Sequence, residues 1–204
     1  KLYLDYQSIK CDDGNTIELL KNKFVGQDIL LIGPGKNIKK QRGIVKDYIK
    51  KHNPIVIAVN YAPEDFDIDY VFLTKSKRYT QLIKDINKGI SAKAEIIATS
   101  NVTKTSGDFD YVLNYSSLID KNTEIIDNSL VMLLKAMCIF EVKNISLAGF
   151  DGYSKLEDNY YDISREYSFV KDKSEYFNKY VRDYLTSINK KLKVRFITDS
   201  YYCH

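Results

Sequence analysis

The run Ile29-Leu30-Leu31-Ile32 passes without a break into Gly33-Pro34-Gly35-Lys36, and this junction constrains the fold more than any other stretch of the chain. Four consecutive apolar residues rich in branched side chains are too few for a buried helix. They suit a strand covered on both faces, the usual state of a strand in a parallel sheet. Gly33 and Gly35 give the backbone access to positive φ and let it approach a ligand with no Cβ in the way. From Asn37 onward, Ile38, Val45, Tyr48 and Ile49 recur at helical spacing, so a helix over 37–51 is expected with Asn37 as its N-cap. The free N–H groups of its first turn, together with Lys36, would then face an anion such as phosphate.

Two common phosphate motifs are excluded by reading the residues. A Walker A loop needs four residues between its first glycine and Gly-Lys-Ser/Thr, and Gly33-Pro34-Gly35-Lys36-Asn37 has neither that spacing nor the hydroxyl for magnesium. A dinucleotide fingerprint needs a third glycine, and position 38 is Ile. The bland alternative is a tight strand-to-helix turn in which the glycines are structural.

The rest of the chain repeats the alternation. A short amphipathic helix with Ile17, Leu19, Leu20 and Phe24 leads in over 14–24. Strands are expected at Pro54–Val59, Tyr70–Leu73, Ala94–Ala98, Tyr111–Leu113 and Asn144–Ala148, with a helix at 76–88. Ser129–Phe140, apolar nearly all round, reads as a deeply packed helix. Residues 151–172 are polar and aromatic without periodicity. Tyr176–Ile188 returns to helix, and Val194–Ile197 reads as a strand at the sheet edge or antiparallel. Alternating strands and helices with short connections predict an α/β, Rossmann-like, doubly wound and mostly parallel sheet with helices on both faces. With 204 residues and no internal repeat or linker, a lead-in over 1–27 and one domain over 28–204 are expected.

Ligands of such sheets bind beyond the carboxyl ends of the strands. That rule selects Gly33, Gly35 and Lys36 after the first strand, Asn60 and Tyr61 after the second, and Thr74, Lys75, Lys77 and Arg78 after the third. Thr99, Ser100 and Asn101 follow the fourth strand, and Asn114 and Tyr115 the fifth. Gly149, Asp151, Gly152, Tyr153 and Ser154 follow the sixth. Lys75 and Arg78 stand near a helix start, where an anion would meet both charge and free N–H groups. Asp127-Asn128-Ser129 forms at minimum a helix cap. A purely structural sheet also ends in polar loops, so the concentration of these residues on one edge carries the reading, not any one of them.

Other chemistries find little support. The carboxylates Glu64, Asp65, Asp67 and Asp69 precede the strand Tyr70–Leu73 and would lie at the opposite end of the sheet from the candidates, so no metal site is assigned. With only His52 and His204 and no G-x-S-x-G elbow, hydrolase triads are not supported. An acid or base would be Asp151, Asp158 or a tyrosine, with Asp151 the best candidate. Cys11, Cys138 and Cys203 are too few and too scattered for a disulfide scaffold or zinc site, which fits a reducing cytoplasm. A net charge of +4, with both signs interspersed, does not mark a nucleic-acid surface. No apolar run approaches the roughly 18 residues of a membrane span and no signal peptide is recognised, so any membrane contact would be peripheral. The chain opens Lys1-Leu2-Tyr3 without an initiator methionine, which leads to the expectation that it was cut from a longer polypeptide.

Gly33-Pro34-Gly35-Lys36, Asp127-Asn128-Ser129 and Leu147-Ala148-Gly149-Phe150-Asp151-Gly152-Tyr153-Ser154 together resemble the Rossmann-like domain at the C-terminus of 4-hydroxy-2-oxovalerate aldolase-like fusion proteins. The resemblance extends to Leu2-Tyr3 and to Phe196–Tyr201. It implies an aldolase domain in the same polypeptide, outside these residues, and a setting in surface-polysaccharide biosynthesis. More remotely the same segments are similar to bacterial sialyltransferases and 6-hydroxymethylpterin diphosphokinase-like proteins. That likeness implies a nucleotide or nucleotide-sugar ligand contacted by Gly33, Gly35, Asn60, Ser129 and Asp151. The sialyltransferase pattern carries a catalytic histidine late in the chain, where this sequence offers only His204. The expected function is nucleotide-phosphate binding with glycosyl or phosphoryl transfer. The rival is a non-catalytic docking or oligomerisation module of the aldolase.

Overall fold

A computed structural model of the chain describes residues 11–87, 89, 93–102, 109–121, 123–162, 164 and 168–203. Leu2-Tyr3, Lys88 and His204, to which the sequence reading assigned parts, lie outside the described residues. In chain order the elements are α1 Gly14–Phe24, β1 Ile29–Ile32, α2 Asn37–Lys40, α3 Arg42–His52, β2 Ile55–Val59, β3 Tyr70–Leu73, α4 Ser76–Ile86 and β4 Glu95–Thr99. There follow β5 Tyr111–Leu113, α5 Tyr115–Leu118, α6 Ser129–Ile139, β6 Asn144–Ala148, α7 Ser168–Asp172, α8 Ser174–Ile188, β7 Lys193–Phe196 and a 3-10 turn at Tyr201–Cys203. The strands pair in parallel throughout, as β5-β4-β3-β2 and as β1-β6-β7. This is an α/β fold of the Rossmann-like class. No described helix is long and apolar enough to cross a membrane.

The described residues divide into two compact units, one within Lys1–Gln27 and Val56–Val142, the other within Asp28–Ile55 and Lys143–His204. In the first unit the core is built on β3, β4 and α6. Leu130, Val131, Met132, Leu133, Leu134, Ala136 and Met137 of α6 are all buried, as its nearly continuous apolar surface requires. Phe24 fixes α1 to this core and is fully buried, edge-on to Tyr70 at 5.1 Å and Phe140 at 5.7 Å. Two aspartates, each just before a strand, close the amino end of the strand beside it. Asp69 accepts from Val56 N–H at 2.7 Å and Asp110 from Ile96 N–H at 2.7 Å. Asp69, one member of the acidic run, is thereby used in strand capping.

In the second unit β1 lies beside β6 with Ile29 opposite Ile145 and Ile32 opposite Ala148. The strand after α8 pairs with β6 in parallel, which settles the choice left open by the sequence. The expected continuous helix over 37–51 is two helices, α2 and α3, broken at Gln41 (φ −110°, ψ 26°). The cause is distant in sequence: the Gln41 amide donates to Asp199 Oδ2 at 2.6 Å and accepts from Asp199 N–H at 3.0 Å. α3 stops at Asn53, which takes the left-handed conformation (φ 44°) just before Pro54. α4 runs from Ser76 to Ile86.

Replacing Phe24 by Ala should cost about 3–5 kcal/mol of stability, the usual penalty for emptying a buried aromatic site. Urea denaturation monitored by circular dichroism reads this directly. A loss below about 1 kcal/mol would show that α1 does not depend on this contact.

Candidate functional site

The sequence brought the Gly-Pro-Gly turn and the Gly-Phe-Asp-Gly turn to one sheet edge, and the second unit places them in direct contact. Gly33 N–H donates to Ala148 O and Gly35 N–H to Gly149 O, both at 2.8 Å. A Cβ on Gly33 would stand 2.5 Å from Gly149 O, and one on Gly149 would stand 2.3 Å from Gly33 O. Gly149 also has φ +69°, a conformation that favours glycine. Neither Gly33 nor Gly35 takes the positive φ expected of it. Both are required for close approach alone.

What lies against Gly35 is Asp151. A Cβ at position 35 would fall 2.4 Å from the Asp151 carboxyl carbon and Oδ1. Asp151 Oδ2 accepts the N–H of Asn37 at 2.8 Å. The N-cap position is Lys36, not Asn37, and it makes no side-chain cap. The negative charge at this N–H therefore comes from the far turn of the same unit. Asn37 instead sends its amide to Asp199 O at 2.9 Å.

Asp151 is 9% exposed, and its Oδ1 is buried without a hydrogen-bond partner. Burial pushes its carboxyl up to about 6 from 3.8, against the pull of the Asn37 N–H and of the Lys40 and Lys36 charges. Desolvation prevails because one of the two oxygens receives no compensating bond. Asp151 borders an open pocket of about 580 Å³ that is also lined by Lys36, Lys40, Gly152, Ser154 and Asp199. Lys36 pairs with Glu157 at 2.9 Å, and Asp158 with Lys171 at 2.8 Å, which holds the Asp158 carboxyl below its usual range. Asp158, the other candidate acid or base, is thus an ion-pair partner.

Residues to which the sequence assigns no site role hold the loop beside this pocket. Thr198 Oγ1 accepts from Gly149 N–H at 2.9 Å, Ser200 Oγ donates to Phe150 O at 2.6 Å, and Tyr201 N–H donates to Asp151 O at 2.7 Å. Asn178, buried within α8, accepts from Tyr153 N–H and donates to Tyr153 O, both at 2.8 Å. Gly152 (φ +82°) is packed under Tyr201 and Asn178. An asparagine within a helix carries no local signal of such a role.

The first unit gathers a second set of candidates at the carboxyl ends of β2, β3 and β4. Asn60, itself at φ 62°, accepts from Thr74 N–H at 3.0 Å and donates to Ser129 Oγ at 2.7 Å. Thr74 Oγ1 lies 2.7 Å from Ser129 Oγ. Asn101 donates to Thr74 O at 3.0 Å, and Ser100 Oγ accepts from Tyr115 N–H at 3.1 Å. Lys75 lies 3.6 Å from Asp127, while Arg78 is buried and donates to Gln81 at 3.0 Å. Asn128 caps α6 through Val131 N–H, which frees the Ser129 hydroxyl for the network. Asn60, Thr74, Ser129 and Asn101 thus form one connected polar cluster of amide and hydroxyl groups. Among the described residues no group of three side chains is placed to hold a metal ion.

No protein-family model matches the chain, and a search of curated proteins finds none that matches. Among solved structures, the fold is similar to that of a point variant of the sialyltransferase CST-II in complex with CMP. The two share 16% identity over 84% of this chain and 81% of that one, with a TM-score of 0.54. A second structure is the sialyltransferase CstII from Campylobacter jejuni in complex with a substrate analogue, CMP-3FNeuAc. It shares 15% identity over 84% of this chain and 80% of that one, with a TM-score of 0.48. At these identities the likeness is one of fold.

The raised Asp151 carboxyl gives a signed expectation. Because the folded state binds this proton more tightly than the unfolded chain, the residue's contribution to stability rises as pH falls from above 6 toward 4. The gain is on the order of 1–3 kcal/mol. Denaturant titrations across this range should show it in the wild-type chain and not in Asp151→Asn. Equal pH dependence of the two proteins would contradict it.

Proposed function

We propose that the chain is a nucleotide-phosphate-binding α/β domain that takes a nucleotide or nucleotide sugar and acts as a glycosyl or phosphoryl transferase. On this reading it accompanies an aldolase domain in one polypeptide and serves surface-polysaccharide biosynthesis. The observation that carries the ligand class is the fold likeness to a sialyltransferase in complex with CMP. The residues suit the ligand. Asn60, Ser129, Ser100 and Asn101 offer amide and hydroxyl groups for a nucleoside, and Lys75 and Arg78 offer positive charge. In the other unit Lys36 and Lys40 line the pocket beside Asp151, while Gly33, Gly35, Gly149 and Gly152 set the turns that shape it. Positive charge near a departing nucleotide phosphate stabilises the leaving group. A carboxyl poised at about 6 suits proton transfer near neutral pH, and Asp151 is the proposed base.

One observation favours the second reading, a non-catalytic docking or oligomerisation module. Gly33, Gly35 and Gly149 are packed against the protein's own backbone and carboxylate, as glycines of purely structural value would be.

A thermal-shift series with nucleoside monophosphates, CMP among them, and nucleotide sugars separates the two. A ligand at about 100 times its Kd should stabilise the fold by about 2.7 kcal/mol, several degrees in Tm. Asn60→Ala should reduce the shift. No shift with any member at millimolar concentration would overturn the nucleotide reading.

A further inference from the structure

The positive charge of the chain is not evenly shared. The unit within Asp28–Ile55 and Lys143–His204 holds 18 Lys and Arg against 11 Asp and Glu, whereas the other holds 13 against 16. Much of the excess lies in one stretch, because residues 36–51 contain seven basic residues and one acidic residue, Asp47.

α3 turns four of these charges, Arg42, Lys46, Lys50 and Lys51, outward. Its inner stripe is Val45, Tyr48, Ile49 and His52, spaced to pack on the sheet: Val45 is buried, and Tyr48 reaches Ser146 of β6 at 3.0 Å. Arg42, Ile44, Lys46, Asp47, Lys50 and Lys51 are exposed. The edge strand β7 continues the face. Arg195 lies 5.1 Å over the Tyr48 ring, and Lys193, two residues earlier and also exposed, shares its side of the strand. Lys46, Lys50 and Lys51 form no ion pair among the described residues. Ile44, on the same side of the helix as Lys51 and one turn before Asp47, is 55% exposed.

We propose that this face docks on an anionic lipid bilayer. Charge complementarity selects a polyanionic partner, since unpaired lysines on one helix face and the adjoining strand gain from a negative surface potential. The exposed Ile44 selects the bilayer among polyanions, because an apolar side chain on the solvent side of a basic helix enters the headgroup region while the lysines stay at the phosphates. The aromatic ring of this region, Tyr48, is covered by His52 at 4.4 Å and by Arg195, so it offers no stacking platform for single-stranded nucleic acid.

The test is vesicle co-sedimentation of the 204-residue chain with phosphatidylcholine alone and with an equimolar phosphatidylcholine–phosphatidylglycerol mixture. Binding is expected only to the mixture, and to weaken as salt rises. The triple variant Lys46→Glu/Lys50→Glu/Lys51→Glu should lose at least about tenfold in affinity. Lys84→Glu/Lys93→Glu/Lys121→Glu carries the same change in net charge on exposed residues of the other unit and should lose far less. Ile44→Ser should weaken vesicle binding while leaving retention on duplex DNA or polyphosphate unchanged. No binding to the mixed vesicles, equal losses in the two triple variants, or an unaffected Ile44→Ser would each overturn the proposal. Because no residue altered here lines the pocket or the polar cluster, nucleotide-induced stabilisation should persist in every variant. Failure of the nucleotide reading would therefore be seen separately.

Discussion

The carboxylate of Asp151 on the N–H of Asn37 is the contact on which the rest of the second unit's site depends. It requires glycine at 35, because a Cβ there would occupy the carboxylate's place. It ties the loop after β6 to the loop after β1, and Asp151 O then accepts from Tyr201 N–H, which draws in the C-terminal segment. Gln41 and Asn37 hold that segment through Asp199. One buried side chain thus fixes the floor and wall of the pocket, at the cost of an Oδ1 with no partner and a carboxyl pushed up to about 6. A buried, half-satisfied carboxylate is expensive for folding, and it is also the kind of group that functional sites contain.

The first unit solves a different problem in the same fold. Its strand ends are joined by neutral groups, the Asn60 and Asn101 amides and the Thr74 and Ser129 hydroxyls. Such a cluster is preorganised and uncharged. Asn60 sits in the left-handed region, a conformation that asparagine tolerates better than most residues. Preorganised amides and hydroxyls offer hydrogen bonds without charge, whereas the second unit's pocket is lined by Lys36 and Lys40. The basic side chains of α3 and β7 line no part of the second unit's pocket.

β1, β2 and β3 were legible because each is a short unbroken apolar run, and burial on both faces removes the ambiguity of alternation, whereas β7 alternates charged and apolar residues. α6 was legible for the same reason. The Gly-Pro-Gly turn was legible as a place where no Cβ fits, but its occupant was not. The carboxylate belongs to a residue 114 positions away, and helix-capping rules describe only near neighbours. The break at Gln41 escaped for the same reason, since Asp199 is 158 positions away. Thr198 and Asn178 escaped because they act through backbone groups of the Gly149–Tyr153 loop, and neither sits in a pattern of its own.

The most direct measurement is the titration of the Asp151 side-chain carbonyl by carbon-13 NMR in selectively labelled protein. A buried carboxylate that caps Asn37 with one oxygen and leaves the other unpaired should titrate near 6. Addition of acid should shift the Asn37 amide resonance in step with it. An Asp151 pKa at or below 3.8, or an Asn37 amide indifferent to the titration, would contradict the claim that this one contact organises the site.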